Sequence, residues 1–211
     1  TMRCDHPDIE AFIEAKQDAA RLRMFNLSVL VTDPFMAAVK SDGPWDLKFS
    51  GVTRRTLPAR DLWNKIMRAT YDFAEPGVIF IDEVNRHNHL MASMGPIYAC
   101  NPCGEQQLHF NNSCNLGSID VAKFFKAGDD PTSIDGSVDW ERLADTVHRS
   151  TQFLDNVVDA EYFPLAAIDD VVKRTRPVGL GIMGFADLCL KLGVTYGEPD
   201  SLDLIERVMR F

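Results

Sequence analysis

Apolar positions along the chain alternate between a spacing of three to four residues and short unbroken runs, so helices and strands take turns. Ile9, Phe12 and Ile13 after His6-Pro7-Asp8 predict a short helix with an acidic first turn. The β-forming stretch from Phe25 to Thr32 predicts a strand running into Asp33-Pro34, where proline suits a first helical turn. Asp42-Gly43-Pro44 breaks the chain. Leu62, Ile66, Ala69 and Phe73 then mark a helix over 59–74, ended at Pro76-Gly77. Val78-Ile79-Phe80-Ile81 is an apolar run of the length expected for a parallel strand covered on both faces. Further strands are predicted within Ile97–Glu105 and Asn115–Phe125, and a polar loop from Asp129 to Gly136. Asp139 caps a helix to Val158, with Leu143, Val147, Leu154 and Val158 as its stripe. Helices also follow over 165–174, over 185–192 and from Ser201 onward. This alternation predicts an α/β architecture.

Composition narrows the setting. The chain has 211 residues, 45% hydrophobic and 25% charged, enough for one sizeable core. No apolar run approaches the ~20 residues of a membrane span, and Thr1 to His6 lacks the pattern of a signal peptide. A net charge of −9 disfavours duplex nucleic acid as a partner. The five cysteines, at 4, 100, 103, 114 and 189, are odd in number and partly clustered, which points to a reducing, cytoplasmic compartment.

The densest chemistry lies in Cys100-Asn101-Pro102-Cys103-Gly104-Glu105-Gln106. In an extended backbone Asn101, Cys103 and Glu105 would face one way, bringing an amide, a thiol and a carboxylate together. Pro102 and Gly104 argue for a rigid loop tip instead of an interior strand. Three other readings stand beside this one. Cysteine is often a small buried hydrophobe, which suits Cys4 and Cys189. Cys100, Cys103, His109 and Cys114 have zinc-knuckle spacing and would make a zinc-binding interaction module. Cys100-x-x-Cys103 is formally a dithiol pair, although a redox pair of that kind should open a helix, and Asn111-Asn112 looks like a turn.

Asn-Pro-Cys-Gly-Glu-Gln at 101–106 and Ser-Cys-Asn-Leu-Gly-Ser-Ile at 113–119 resemble the active-site segment of ribonucleotide reductases, in the spelling of the adenosylcobalamin-dependent class. Arg3 to Ile9, Phe25 to Val29, Gly77 to Asp82 and Arg176 to Gly184 extend the resemblance over nearly the whole chain. It implies a ten-stranded α/β barrel with a central finger loop carrying the radical cysteine, of which 1–211 is a part truncated at both ends. It implies Cys103 as the thiyl radical that abstracts the 3′ hydrogen and Glu105 as base on the 3′ hydroxyl. Asn101 would bind the ribose hydroxyls, and Cys114 would be half of the reducing dithiol. Adenosylcobalamin would generate the radical, or else a separate metal-containing subunit. The implied partners are a ribonucleotide substrate, dNTP or ATP effectors, thioredoxin or a similar reductant, and a second copy in a homodimer. The partner of Cys114 and the effector loops are expected before Thr1, and the phosphate loop after Phe211. The segment alone is therefore expected to have no turnover.

The remaining motifs receive plainer readings. Gly179-x-Gly181-x-x-Gly184 matches a dinucleotide fingerprint, but Lys173 to Pro177 stands where its strand should be, so close packing of a short barrel strand is expected. Asp82-Glu83 reads as a solvated strand end. Arg54-Arg55, Arg174 and Arg176 read as surface charge, and His87, His89 and His109 as polar loop residues.

Overall fold

The computed structural model describes residues 1–18, 20–127 and 134–210 and divides into two compact units, Thr1–Phe110 and Asn111–Phe211. In the first unit, β1 (Met2–Arg3), α1 (Ile9–Glu14), β2 (Ser28–Val31), α2 (Asp33–Ser41), β3 (Pro44–Phe49), β4 (Val52–Pro58) and α3 (Ala59–Phe73) come first. They are followed by β5 (Gly77–Phe80), α4 (Ile81–Arg86), α5 (Met91–Met94), β6 (Ala99–Cys100) and β7 (Gln107–Leu108).

Three strands form a parallel sheet in the order β1-β2-β5, with Val29 opposite Val78 and Leu30 opposite Ile79. Parallel neighbours need crossover connections, and α2 and α3 lie between β2 and β5. Thr32 caps α2 through its hydroxyl, which accepts from Phe35 N, and Asp82 accepts from Asp33 N at 2.8 Å. The core beneath gathers Ile9, Val29, Phe35, Leu47, Leu62 and Ile66, all buried. Phe35 packs edge-on against Trp45 with centroids 5.1 Å apart. Lys65 bonds both Glu10 and Glu14, tying α3 to α1. Cys4 is fully buried, and loss of solvation pushes its thiol up to about 11.

The second unit holds β8 (Asn115–Asp120), a 3₁₀ turn (Val121–Phe124), α6 (Ile134–Ser137), α7 (Trp140–Ala160), α8 (Ala166–Thr175), β9 (Val178–Met183), α9 (Phe185–Leu192) and α10 (Pro199–Arg210). β8 and β9 pair in parallel over six positions, from Asn115↔Val178 to Asp120↔Met183. Asp139 caps α7 by accepting from Arg142 N, and Leu143, Leu154 and Val158 are buried on its inner face. Cys189 is buried with Leu188 and Leu192. The Gly179–Gly184 motif lies in and just after strand β9. At Gly184, φ is +72° and an added Cβ would stand 2.2 Å from Asp120 Oδ1, so close packing explains that glycine.

Several expectations need correction. The barrel is not closed: among the described residues, five strands pair in parallel, in two separate sheets. The strand expected within Ile97–Glu105 shrinks to Ala99–Cys100, because Pro102 cannot donate to a ladder and the chain turns there. The strand expected from Asn115 ends at Asp120. Pro44 to Pro58 forms an unforeseen antiparallel hairpin around Ser50-Gly51, both at positive φ as a tight hairpin turn demands. Most of the loop expected over 129–136, and Phe211, lie outside the described residues; Gly136 falls in α6. No described helix is long and apolar enough to cross a membrane.

Candidate active site

β6 and β7 make a small hairpin with Ala99 opposite Leu108 and Cys100 opposite Gln107. Residues 101–106 form its tip. Asn at the first position, Pro at the second and Gly at the fourth favour a tight turn over 101–104, and Gly104 N donates to Asn101 O at 3.1 Å. Gly104 takes φ +84°. Asn101 N donates to Gln106 O at 3.1 Å and closes the loop.

Side chains complete this scaffold. Asn101 Oδ1 accepts from Gly104 N at 3.1 Å and from Gln106 N at 3.0 Å. Gln107 Nε2 donates to Gly104 O at 2.9 Å. Asn26 Nδ2 donates to Pro102 O at 2.7 Å, fastening the tip to the segment before β2. The Cys103 turn is thus bonded on several sides.

This turn corrects the in-phase argument, which requires an extended backbone. Asn101, Cys103 and Glu105 share one loop, but they follow a turn. Cys103 and Glu105 are exposed, and Asn101 is half-buried with its amide oxygen committed to the loop. Asn101 Nδ2 has no hydrogen-bond partner among the described residues and remains able to donate. Cys103 lines a cleft of about 380 Å³ with Gly104, Gln107, Ser28, the residues of β5, Glu83 and Val84. Asn101 and Glu105 do not line it.

Sequence reasoning missed Glu83 and Gln107 as cleft residues. Glu83 follows the carboxyl end of β5, where open parallel sheets place ligands, and that rule was the available signal. Hydrogen bonds from Arg86 and then His87 hold its carboxyl below the usual range. Gln107 carried no signal beyond its nearness to Glu105.

The zinc alternative is not favoured. Cys100 packs against the buried cluster of Leu30, Ile79 and Ile81, and burial pushes its thiol up, which disfavours a metal-binding thiolate. His109 is buried instead of standing in a polar loop, and its Nε2 donates to Gly95 O at 2.9 Å. Asn88 Nδ2 donates to the same oxygen at 3.1 Å. Among the described residues, no group of three or more His, Cys, Asp or Glu is placed to hold a metal.

Cys114 belongs to the second unit, immediately before β8. It is partly buried, and its Sγ donates to Asn115 O at 3.4 Å. Asn115 Nδ2 donates to Leu154 O at 3.1 Å, binding the start of β8 to α7. Of the charged groups, Arg176 bonds Asp155 and Asp159 through its guanidinium, so it clamps α7 to the end of α8. Asp82, capping α2, is likewise a structural group.

Comparison with known proteins supplies the family. The family model described as "Ribonucleotide reductase, barrel domain" matches residues 1–211. A "Vitamin B12-dependent ribonucleoside-diphosphate reductase" of Thermoplasma acidophilum is 41% identical, over 98% of this chain and 26% of its own length. A protein of the same name from Mycobacterium tuberculosis is 38% identical, over 97% of this chain and 29% of its own length. The "Ribonucleoside-diphosphate reductase large subunit" of Variola virus is 26% identical, over 96% of this chain and 29% of its own. The chain therefore spans between a quarter and a third of these relatives. With its whole length matched, the chain belongs to the ribonucleotide reductase family, as part of the barrel domain.

Proposed function

We propose that this chain supplies the thiol centre of a reductase that converts ribonucleotides to deoxyribonucleotides by radical chemistry. The observation that carries the reading is Cys103, exposed on a hydrogen-bonded tip within Asn-Pro-Cys-Gly-Glu and bordering a cleft. A thiyl radical at Cys103 takes the 3′ hydrogen atom of the ribose, leaving a thiol and a carbon radical. Glu105 accepts the proton of the 3′ hydroxyl, and Asn101 Nδ2 is available to hold the ribose hydroxyls in register. The 2′ hydroxyl leaves as water. Cys114 and a second cysteine give up two electrons and two protons and are oxidised to a disulfide. One proton completes the departing water, the other hydrogen goes to C2′, and Glu105 returns its proton to the 3′ oxygen. The Cys103 thiol then returns its hydrogen atom to C3′ and becomes the radical again. A thioredoxin-type dithiol reduces the disulfide between turnovers.

The Thermoplasma and Mycobacterium relatives are named as vitamin B12-dependent, and that cofactor in its adenosyl form would supply the initial radical when bound. This chain's own task is to hold the Cys103 sulfur in place. No residue described here is assigned to the corrin. Nucleotide effectors, a homodimeric state and a cytoplasmic setting belong to the same proposal for the whole protein.

The test is Cys103→Ser in the full-length protein. Ribonucleotide reduction is expected to vanish while circular dichroism and the thermal midpoint stay unchanged. Retained turnover would overturn the reading.

A further inference from the structure

The bonds within the β6–β7 hairpin fix the shape of the Cys103 turn but not its place. Among the described residues, Asn26 makes the only hydrogen bond that joins loop 101–106 to anything outside that hairpin. Its Nδ2 donates to Pro102 O at 2.7 Å, from a position 76 residues earlier in the chain. That oxygen belongs to the planar peptide unit whose nitrogen is Cys103 N, so holding it orients the backbone entering the cysteine. A hairpin of two cross-strand pairs gives little support of its own.

Asn26 is itself held on both sides. Leu27 N donates to Glu75 Oε1 at 2.9 Å, and Leu27 O accepts from Gly77 N at 2.8 Å. On the other side, Phe25 O accepts from Lys16 Nζ. Lys16 and Glu75 are also paired with each other, and their side chains are only 18% and 22% exposed. A pair shielded to that degree is screened by salt less than a surface pair. One ion pair therefore grips the backbone immediately before and immediately after Asn26. The reaction scheme gives none of these three residues a task.

We propose that Asn26, braced by the Lys16–Glu75 pair, is a positioning residue that sets where the Cys103 sulfur stands for hydrogen-atom transfer. The link to hydrogen transfer rests on the function proposed above; the brace itself does not. Misplacing reacting atoms by about 1 Å can cost on the order of a hundredfold in rate, so a remote amide can matter.

The experiment uses the full-length protein and Asn26→Asp, which keeps the side chain's shape and replaces the donor with an acceptor. Ribonucleotide turnover is measured with hydrogen and with deuterium at C3′. The variant's kcat is expected to fall about tenfold with KM little changed. The deuterium isotope effect on kcat is expected to rise, because a displaced sulfur makes hydrogen transfer the slower step. A merely structural role would lower the thermal midpoint and leave that isotope effect alone. Alkylation of Cys103 by iodoacetamide, followed by peptide mass spectrometry, reads the brace without any turnover. It is expected to run about threefold to tenfold faster in the variant, as loss of one hydrogen bond implies. Asn26→Ala provides the same readings should the aspartate variant fold poorly. Lys16→Met should move both readings the same way by a smaller factor. Unchanged alkylation in the Asn26 variants overturns the brace. Faster alkylation with an unchanged isotope effect overturns its link to hydrogen transfer. No effect of Lys16→Met removes the ion pair from the brace. A wild type without ribonucleotide turnover overturns the proposed function, while the alkylation rates still decide the brace.

Discussion

Cys103 stands on a loop closed by two cross-strand pairs, whereas Cys114 precedes a strand paired with β9 over six positions. The first is held by side chains: Asn101, Gln107 and Asn26 bond to the loop's own amides and carbonyls. The second is held by a backbone ladder and by apolar packing, with Leu154 of α7 within 3.5 Å of where a Cβ on Gly117 would stand. A ladder fixes a strand whatever its side chains are, but a loop of this kind depends on particular amides. The difference shows how a fold can aim a thiol without a long strand behind it, and it predicts that the two segments fail in different ways.

The largest effect is expected on the β8 side. Leu154→Ala removes a buried side chain under the ladder and should destabilise the second unit by about 3 kcal/mol, through lost transfer energy and a residual cavity. Chemical denaturation measures this. A cost below about 1 kcal/mol would mean that the ladder, and not the packing, carries the strand.

A smaller effect concerns Cys4, the buried counterpart of exposed Cys103. Burial raises its thiol to about 11, so the folded state keeps a proton that the unfolded chain releases near 9. Its contribution to stability is complete below pH 9 and is lost as the pH rises to about 11. Linkage gives a loss of about 2 kcal/mol across that window. Comparing the pH dependence of unfolding in wild type and Cys4→Ala isolates this contribution, and identical slopes would refute it.

The smallest effect is local. Asn101→Ala removes the acceptor for Gly104 N and Gln106 N and should weaken the loop by about 1 kcal/mol, with little change in the global midpoint. Hydrogen exchange at those two amides should accelerate about fivefold to tenfold, as one lost hydrogen bond implies. Asn101→Asp keeps the acceptor and should restore protection. Unaltered exchange in the alanine variant would show that the turn closes without its side chain.

Much of the scaffold was legible because single residues carry strong local rules. Asp33-Pro34, and Asp139 before an apolar stripe, announced α2 and α7, whereas Thr32, read as part of a strand, turned out to cap α2. Strand extent was less legible: β2 begins only at Ser28, although Leu27 O still accepts from Gly77 N at 2.8 Å. The β3–β4 hairpin escaped because Thr53, Arg54, Arg55 and Thr56 are all exposed, which erases the alternation of a half-buried strand. Only Ser50-Gly51 signalled it. At the site, the motif singled out Cys103 as a candidate, and Pro102 with Gly104 hinted at a tip. Its geometry was misjudged because sequence spacing was read on an extended backbone. Glu83 and Gln107 reach the cleft through tertiary packing, which spacing along one segment does not encode.

Gly104 carries one more lesson. An added Cβ there would meet nothing within 4 Å, yet its φ is +84°. The position has ample room and objects only to chirality. A D-alanine introduced by chemical synthesis would settle there as readily as glycine, whereas its L-enantiomer would have to unwind the bend that aims the neighbouring sulfur. What the site asks of this residue is a mirror-image hand.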